Sequence, residues 1–247
     1  MKPKIAIFSL TSCEGCSLAI LELEDHLLDI LGAVEIVNFR EGMTDRDWDI
    51  DIAFVDGAVS TPQDAKEIQH IREKSRVLVA IGACACLGGV NTLKNYQSES
   101  DYRRCVYGDM ANYFPTTRAK PLSAIVKVDY ELPGCPMVKE EFLEFVKCML
   151  MGKVFRLPDS PVCVECKKRG NPCLYDQGIF CLGPVTRGGC SAICPTFGSK
   201  CEGCRGLISR EGLAAAGVNI RETYNASVKD VMDDLRLYGA YQEGDLP

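Results

Sequence analysis

Eight of the chain's 15 cysteines fall within residues 163–204: Cys163, Cys166, Cys173, Cys181, Cys190, Cys194, Cys201 and Cys204. A segment so rich in Gly and Pro, with no long apolar repeat, cannot fold on hydrophobic burial alone. It needs disulfides or metal centres. Spacing divides the eight into Cys163-x2-Cys166-x6-Cys173-x7-Cys181 and Cys190-x3-Cys194-x6-Cys201-x2-Cys204. Each group offers four thiols and two short gaps, enough to clamp one cluster, and Cys190-x3-Cys194-Pro195 repeats the x3-Cys-Pro ending of bacterial ferredoxins in a different order of spacings. Zinc is the competing reading. A zinc ribbon wants two Cys-x2-Cys pairs about 15 to 20 residues apart. Here 34 residues separate Cys166 from Cys201, with four further cysteines between them. The spacing therefore favours iron–sulfur clusters.

A third set is scattered. Cys13-Glu14-Gly15-Cys16, taken alone, fits either a redox dithiol at a helix start or a pair of metal ligands. Cys84 and Cys135 tip the balance, because a dithiol needs no third and fourth thiolate. Both follow predicted strands, as Cys13 and Cys16 do, and Cys135 precedes Pro136.

The elements that must position these thiols read as alternating strands and helices. Strands are predicted at 4–10, 34–39, 51–55, 77–82 and 124–130, with helices over 17–31, 63–74 and 138–151. That alternation predicts an α/β, flavodoxin-like, doubly wound parallel sheet over residues 1–152. Ligands in such sheets sit at the carboxyl ends of the strands, so Cys13, Cys16, Cys84 and Cys135 should converge there as a site for a tetrahedral metal centre or a cubane. Residues 153–247 are expected to form a second, cysteine-rich iron–sulfur domain of little regular structure, with a surface helix over 226–241.

Composition narrows the setting. A net charge of −6 and the absence of a polybasic stripe argue against nucleic acid or an anionic membrane as partner. No apolar run reaches the length of a membrane span, and the start lacks a signal pattern, so a cytoplasmic location is expected. Thiols are kept reduced there, which makes a disulfide scaffold the minor reading.

Three cysteines are left over. Cys105 and Cys148 read as ordinary small residues, as does Cys86, although Cys86 could replace Cys84 as the ligand. His26 and His70 lie in predicted helices far from any cysteine group and are expected to be structural or solvated. Asp56 reads first as a turn residue before Gly57, and second as a group that orients the cluster at the sheet edge.

The motifs SLTSCEGC (9–16), GACACLGG (82–89), PGCP (133–136), PVCVEC (161–166), GNPCLYDQG (170–178) and the run from CLGPVTRGGC to CEGC (181–204) together resemble the small subunit of [NiFe] hydrogenases. The likeness is greatest to the delta-type subunits of cytoplasmic, NAD(P)-linked enzymes such as sulfhydrogenases. The resemblance implies three [4Fe-4S] clusters: a proximal one on Cys13, Cys16, Cys84 and Cys135, a medial one on Cys190, Cys194, Cys201 and Cys204, and a distal one on Cys163, Cys166, Cys173 and Cys181. It also implies a large subunit carrying the Ni–Fe centre, and diaphorase-type partners with flavin (FAD or FMN), iron–sulfur clusters and NAD(P). This chain would relay electrons and supply no catalytic group of its own. Periplasmic members usually have a His where this chain has Cys163 and a three-cysteine medial site where Cys194 adds a fourth thiol; both changes should lower the potentials. The competing relatives are a complex I-like subunit and the relay subunits of F420-, heterodisulfide- or bifurcating complexes. The first typically shows adjacent cysteines in place of Cys13-x2-Cys16 and lacks a second cysteine block.

Overall fold

The computed structural model describes residues 2–44, 46–208 and 233–239. The chain divides into two compact units, Met1–Val154 and Phe155–Pro247.

In the first unit the elements run β1 (Lys4–Ser9), α1 (Gly15–Leu21), α2 (Asp25–Ala33), β2 (Glu35–Phe39), β3 (Ile50–Asp56), α3 (Pro62–Lys74), β4 (Ser75–Ile81), α4 (Gly82–Leu87), α5 (Glu99–Tyr107), β5 (Tyr130–Leu132) and α6 (Lys139–Leu150). The strands form one parallel sheet in the order β2-β1-β3-β4-β5, the flavodoxin-like arrangement. Both faces are covered, as a parallel sheet requires. Along β3, Ala53 and Val55 join Ile68 and Ile71 of α3 in one core. Phe54 between them faces the other way, its ring 4.8 Å from Phe142 and 5.7 Å from Phe145 of α6.

The α3 start is written in its sequence. Thr61 accepts from the Asp64 amide, the Asp64 carboxylate answers the Thr61 amide, and Pro62 occupies the first turn.

Two predicted elements are corrected. The single helix over 17–31 is two, because Glu24 adopts φ 51°; the break turns Leu23 and Ile30 inward while Leu18, Leu28 and Leu31 stay exposed. The strand predicted at 124–130 pairs only over Tyr130–Leu132. Ile125, Val126 and Val128 pack against the core without joining the ladder, and the Asp129 carboxylate takes the Leu78 amide at 2.9 Å and Arg72 at 2.5 Å. A side chain has replaced a backbone acceptor there.

That replacement makes the edge pH-sensitive. Burial pushes Asp129 up, but the Leu78 amide and Arg72 outweigh it and hold the carboxyl below its ordinary 3.8. A depressed carboxylate stabilises the fold above the unfolded value, and the gain is lost as pH falls through the lower folded value. Asp129→Asn should cost about 2 kcal/mol at neutral pH. In urea unfolding its difference from wild type should shrink as pH falls below 3.8; a constant difference would refute the linkage.

Among its described residues the second unit has little regular structure: α7 (Val162–Lys168), a 3-10 turn at Leu174–Gln177 and α8 (Ile193–Thr196), besides a short helical stretch noted below. Its core is Val162, Leu174, Tyr175, Leu182, Val185 and Leu235, with Cys181 and Cys201 packed among them. The helix expected over 226–241 lies mostly outside the described residues; residues 233–236 are helical. Among the described residues no helix is long and apolar enough to cross a membrane.

Candidate metal centres

Sheet register sets the level of the first centre. Ser9 pairs with Asp56, Asp56 with Ile81, and Ile81 with Leu132, so β1, β3, β4 and β5 end in one row. The loops leaving that row carry Cys13 and Cys16, then Cys84, then Cys135. These thiols lie within electrostatic reach of one another, Cys16 of Cys84 and Cys135, and Cys84 of Cys135 and Cys13. Burial pushes the Cys16 thiol well above its ordinary value and the Cys84 thiol up to about 12, and the nearby Asp56 carboxylate pushes in the same direction. Neutral thiols must give up protons to bind metal, so loading here is favoured by rising pH.

Three residues around this centre were not singled out by spacing. The Met137 amide donates to Cys16 Sγ at 3.4 Å, and Asn91 Nδ2 reaches Cys84 Sγ at 3.6 Å and the Thr11 carbonyl at 3.3 Å. Gly89, at φ +60°, backs onto Cys84, where a Cβ would stand 2.6 Å from the sulfur. Asp56 corrects an expectation. It is more than a turn residue, being 2% exposed and hydrogen-bonded to Cys16. Burial pushes its carboxyl up to about 6, against hydrogen bonds from Gly57 and Cys16, and among the described residues its Oδ2 has no hydrogen-bond partner.

In the second unit, α7 places Cys163 and Cys166 one turn apart, and the chain returns through Cys173 and Cys181. Cys163 interacts with Cys181, Cys166 and Cys173, and Cys181 with Cys166 and Cys173, so all four share one neighbourhood. Burial lifts Cys163 to about 12. The other four meet as two pairs: Cys194 with Cys190, and Cys201 with Cys204. Cys181 lies beside both pairs and accepts the Cys201 amide at 3.2 Å.

Glu165 ties the two sets together. From α7 its carboxylate accepts the Gly189 amide at 2.6 Å and the Ala192 amide at 3.2 Å, closing around the loop that carries Cys190. Ser191 and Ala192 in that loop adopt φ 55° and 50°, which non-glycine residues rarely do. Charge-assisted bonds to those amides hold the unusual turn. Glu165→Ala should cost about 2 to 3 kcal/mol and loosen iron bound by the Cys190 loop, whereas Glu165→Gln keeps one acceptor and should recover part of both. Chelator-challenge kinetics followed by absorbance would show the order; equal rates in all three proteins would refute the clamp.

Of the remaining cysteines, Cys86 is buried in the sheet core and directs its Sγ to the Ala80 carbonyl. Cys148 is buried on α6, and Cys105 is exposed on α5. His26 is largely exposed beside Asp29, and His70 meets the Trp48 ring edge-on at 4.5 Å.

The donor sets are thiols, as iron–sulfur clusters require. Among the described residues, no three His, Cys, Asp or Glu side chains converge tightly enough to hold a single metal ion.

Comparison with known proteins agrees with this architecture. The model of the NADH ubiquinone oxidoreductase 20 kDa subunit family matches residues 13–149, which lie within the first unit. The delta subunit of sulfhydrogenase 2 from Pyrococcus furiosus is 41% identical over 205 residues, covering 82% of this chain and 86% of that protein. A subunit of the F420-non-reducing hydrogenase vhu of Methanocaldococcus jannaschii is 30% identical over 96% of this chain and 94% of its own, a span that takes in the cysteine block. A chain of the solved NAD+-reducing [NiFe]-hydrogenase in its H2-reduced state superposes with TM-score 0.59 at 28% identity, over 64% of this chain and 96% of that one. The Ni-Fe-Se hydrogenase from Desulfomicrobium baculatum reaches the same TM-score at 16% identity, over 86% of this chain and 97% of that one, and shares the fold. The chain therefore belongs to the NADH ubiquinone oxidoreductase 20 kDa subunit family, among its delta-type hydrogenase small subunits.

Proposed function

We propose that this chain is the electron-transfer small subunit of a [NiFe] hydrogenase, partnered by a large subunit that holds the Ni–Fe centre. The observation that carries this reading is the row in which β1, β3, β4 and β5 end, because it brings four thiols from three distant loops to one sheet edge. Cys13, Cys16, Cys84 and Cys135 would hold the proximal [4Fe-4S] cluster. Cys190, Cys194, Cys201 and Cys204 would hold the medial cluster, and Cys163, Cys166, Cys173 and Cys181 the distal one. We assign the first set to a domain of residues 1–152 and the other two to residues 153–247. When bound, such clusters store and pass single electrons at potentials set by their ligands, hydrogen bonds and exposure. The protein's own part is to bind and tune. The Met137 and Cys201 amides and the Asn91 and Asn171 side chains point at thiol sulfurs, where donated hydrogen bonds stabilise negative charge.

For the terminal acceptor we favour NAD(P), reached through flavin and iron–sulfur subunits. Support comes from the delta subunit of the NAD-reducing hydrogenase HoxS of Cupriavidus necator, 30% identical over 64% of this chain. The F420-non-reducing relatives match nearly the whole chain and support a second reading, a relay to a different acceptor. An all-thiol set of ligands suits either, since it lowers cluster potentials.

The test is metal analysis of the chain purified without air together with whatever stays bound. About twelve iron atoms per chain, in three four-iron clusters, with roughly one nickel from a co-purifying subunit, is the expected result. Iron without nickel would move the chain to another oxidoreductase, and zinc in place of iron would end the redox reading. H2-dependent reduction of NAD or NADP by the same preparation then supports the first reading, and its absence, with dye reduction intact, the second.

A further inference from the structure

The thiols proposed for the medial cluster come as two pairs on separate segments, Cys190 with Cys194 and Cys201 with Cys204. A short antiparallel pairing beside them brings the segments together. Thr186 bridges Leu207, the Arg187 amide donates to the Gly206 carbonyl and the Ile208 amide to the Val185 carbonyl, both at 3.0 Å. One step further in this register, Arg205 stands opposite Gly188. Cys204 is the residue before Arg205, and Cys190 is the second residue after Gly188, so one member of each pair leaves the pairing at the same end. Cys194 in turn lies within electrostatic reach of Glu202, which stands between Cys201 and Cys204.

Arg205 fixes this approach with its side chain. It is 2% exposed, and its Nε donates to the Gly188 carbonyl at 2.9 Å. The other end of the same peptide group is also held, because the Gly189 N–H donates to Glu165 at 2.6 Å. The fit is close: a Cβ on Gly188 would stand 2.9 Å from the Ser160 carbonyl oxygen and 3.2 Å from Glu165 Oε1. Arginine stays charged inside proteins, and burying that charge is costly unless negative charge lies nearby. Glu165 supplies one such charge across the clamped peptide. Four thiolates around an iron–sulfur cluster would supply more.

We infer that Arg205 is the positioning residue that closes Cys190, Cys194, Cys201 and Cys204 into one four-thiol set, and that its buried charge raises the potential of the cluster held there. The inference rests on the proposed medial set. A guanidinium beside that set offsets part of the negative charge that reduction adds to the cluster. A neutral side chain of the same reach would hold the Gly188 carbonyl and offset none.

The test uses the complex purified without air, with iron analysis and redox titration followed by EPR. Loss of one signal in Cys201→Ala identifies the medial cluster. Arg205→Gln carries its amide nitrogen at the bond count of the arginine Nε, so it should keep about twelve iron atoms per chain. Its medial cluster should be harder to reduce: at the wild-type midpoint the ratio of reduced to oxidised cluster should fall about tenfold, equivalent to about 59 mV for one electron. Arg205→Lys keeps the charge and should hold that ratio within about threefold of wild type. Arg205→Met removes donor and charge together and should lose about four iron atoms per chain, with the proximal and distal signals intact. An unchanged medial potential in Arg205→Gln, or an equal fall in Arg205→Gln and Arg205→Lys, would overturn the charge role. Full iron with an unaltered medial signal in Arg205→Met would overturn the positioning role, and if that variant fails to accumulate the Arg205→Gln titration still decides. The wild type tests the reading beneath: about eight iron atoms per chain in place of about twelve would remove the medial cluster itself, whatever the variants do.

Discussion

Replacing Cys84 with alanine is expected to remove about four iron atoms per chain and to cut H2-dependent dye reduction by at least about 100-fold. Replacing Cys86 should do neither. The two thiols are two residues apart on the same short helix, and spacing alone leaves either one eligible. In the folded chain they part. Cys84 interacts with Cys13, Cys135 and Asp56, receives the Asn91 amide and is half-buried. Cys86 is 6% exposed in the core beside Ala80 and Leu122, with its sulfur directed at a backbone carbonyl. Cys86→Ala should therefore cost about 1 kcal/mol in unfolding experiments and leave iron content unchanged. If Cys86→Ala lost the iron and Cys84→Ala kept it, the assignment at this loop would be reversed.

Gly82→Ala is expected to act almost as strongly as losing a ligand, although it removes no donor. Gly82 begins α4 at the carboxyl end of β4, at φ +81°. A Cβ there would stand 2.3 Å from Cys16 Sγ, closer than any real contact, with Asp56 Oδ1 at 3.6 Å behind it. The backbone conformation itself would add about 1 to 2 kcal/mol of strain for a residue with a side chain. Cys16 is buried and its sulfur is fixed by the Met137 amide, so the side chain has little room to retreat. The variant should lose about four iron atoms per chain while its second unit keeps the rest. Gly32→Ala is the control, since Gly32 sits on α2 with nothing within 4 Å of a new Cβ. That change should stabilise the protein by about 0.5 to 1 kcal/mol, as a helical Gly-to-Ala exchange does. Full iron in Gly82→Ala would show that the thiols at this edge do not act together.

Asp56 and Glu165 show why neighbours are harder to read than ligands. A cysteine announces itself by type and spacing. A supporting carboxylate does not, because its role depends on where its backbone amide partners lie after folding. Glu165 stands between two predicted ligands and reads as an ordinary helix carboxylate, yet its partners are 24 and 27 residues away. Asn91 is separated from Thr11 by 80 residues and is linked to it only through the sheet.

Residue types and spacing pointed to the class of fold, and the motifs they form to the family. Parallel strands buried on both faces leave near-continuous apolar runs, and metal-binding cysteines keep short, recognisable gaps. Element boundaries were less secure wherever a side chain competed with the backbone, as Asp129 does at β5, or where the chain turned within a predicted helix, as it does at Glu24. Folding in three dimensions was needed to bring Cys84 within electrostatic reach of Cys13 and Cys135 while Cys86 packs by Ala80, to press Asp56 against Cys16, and to let Glu165 brace the Cys190 loop. These outcomes depend on strand register and on close approaches between segments distant in the chain, and no local pattern of residues encodes either.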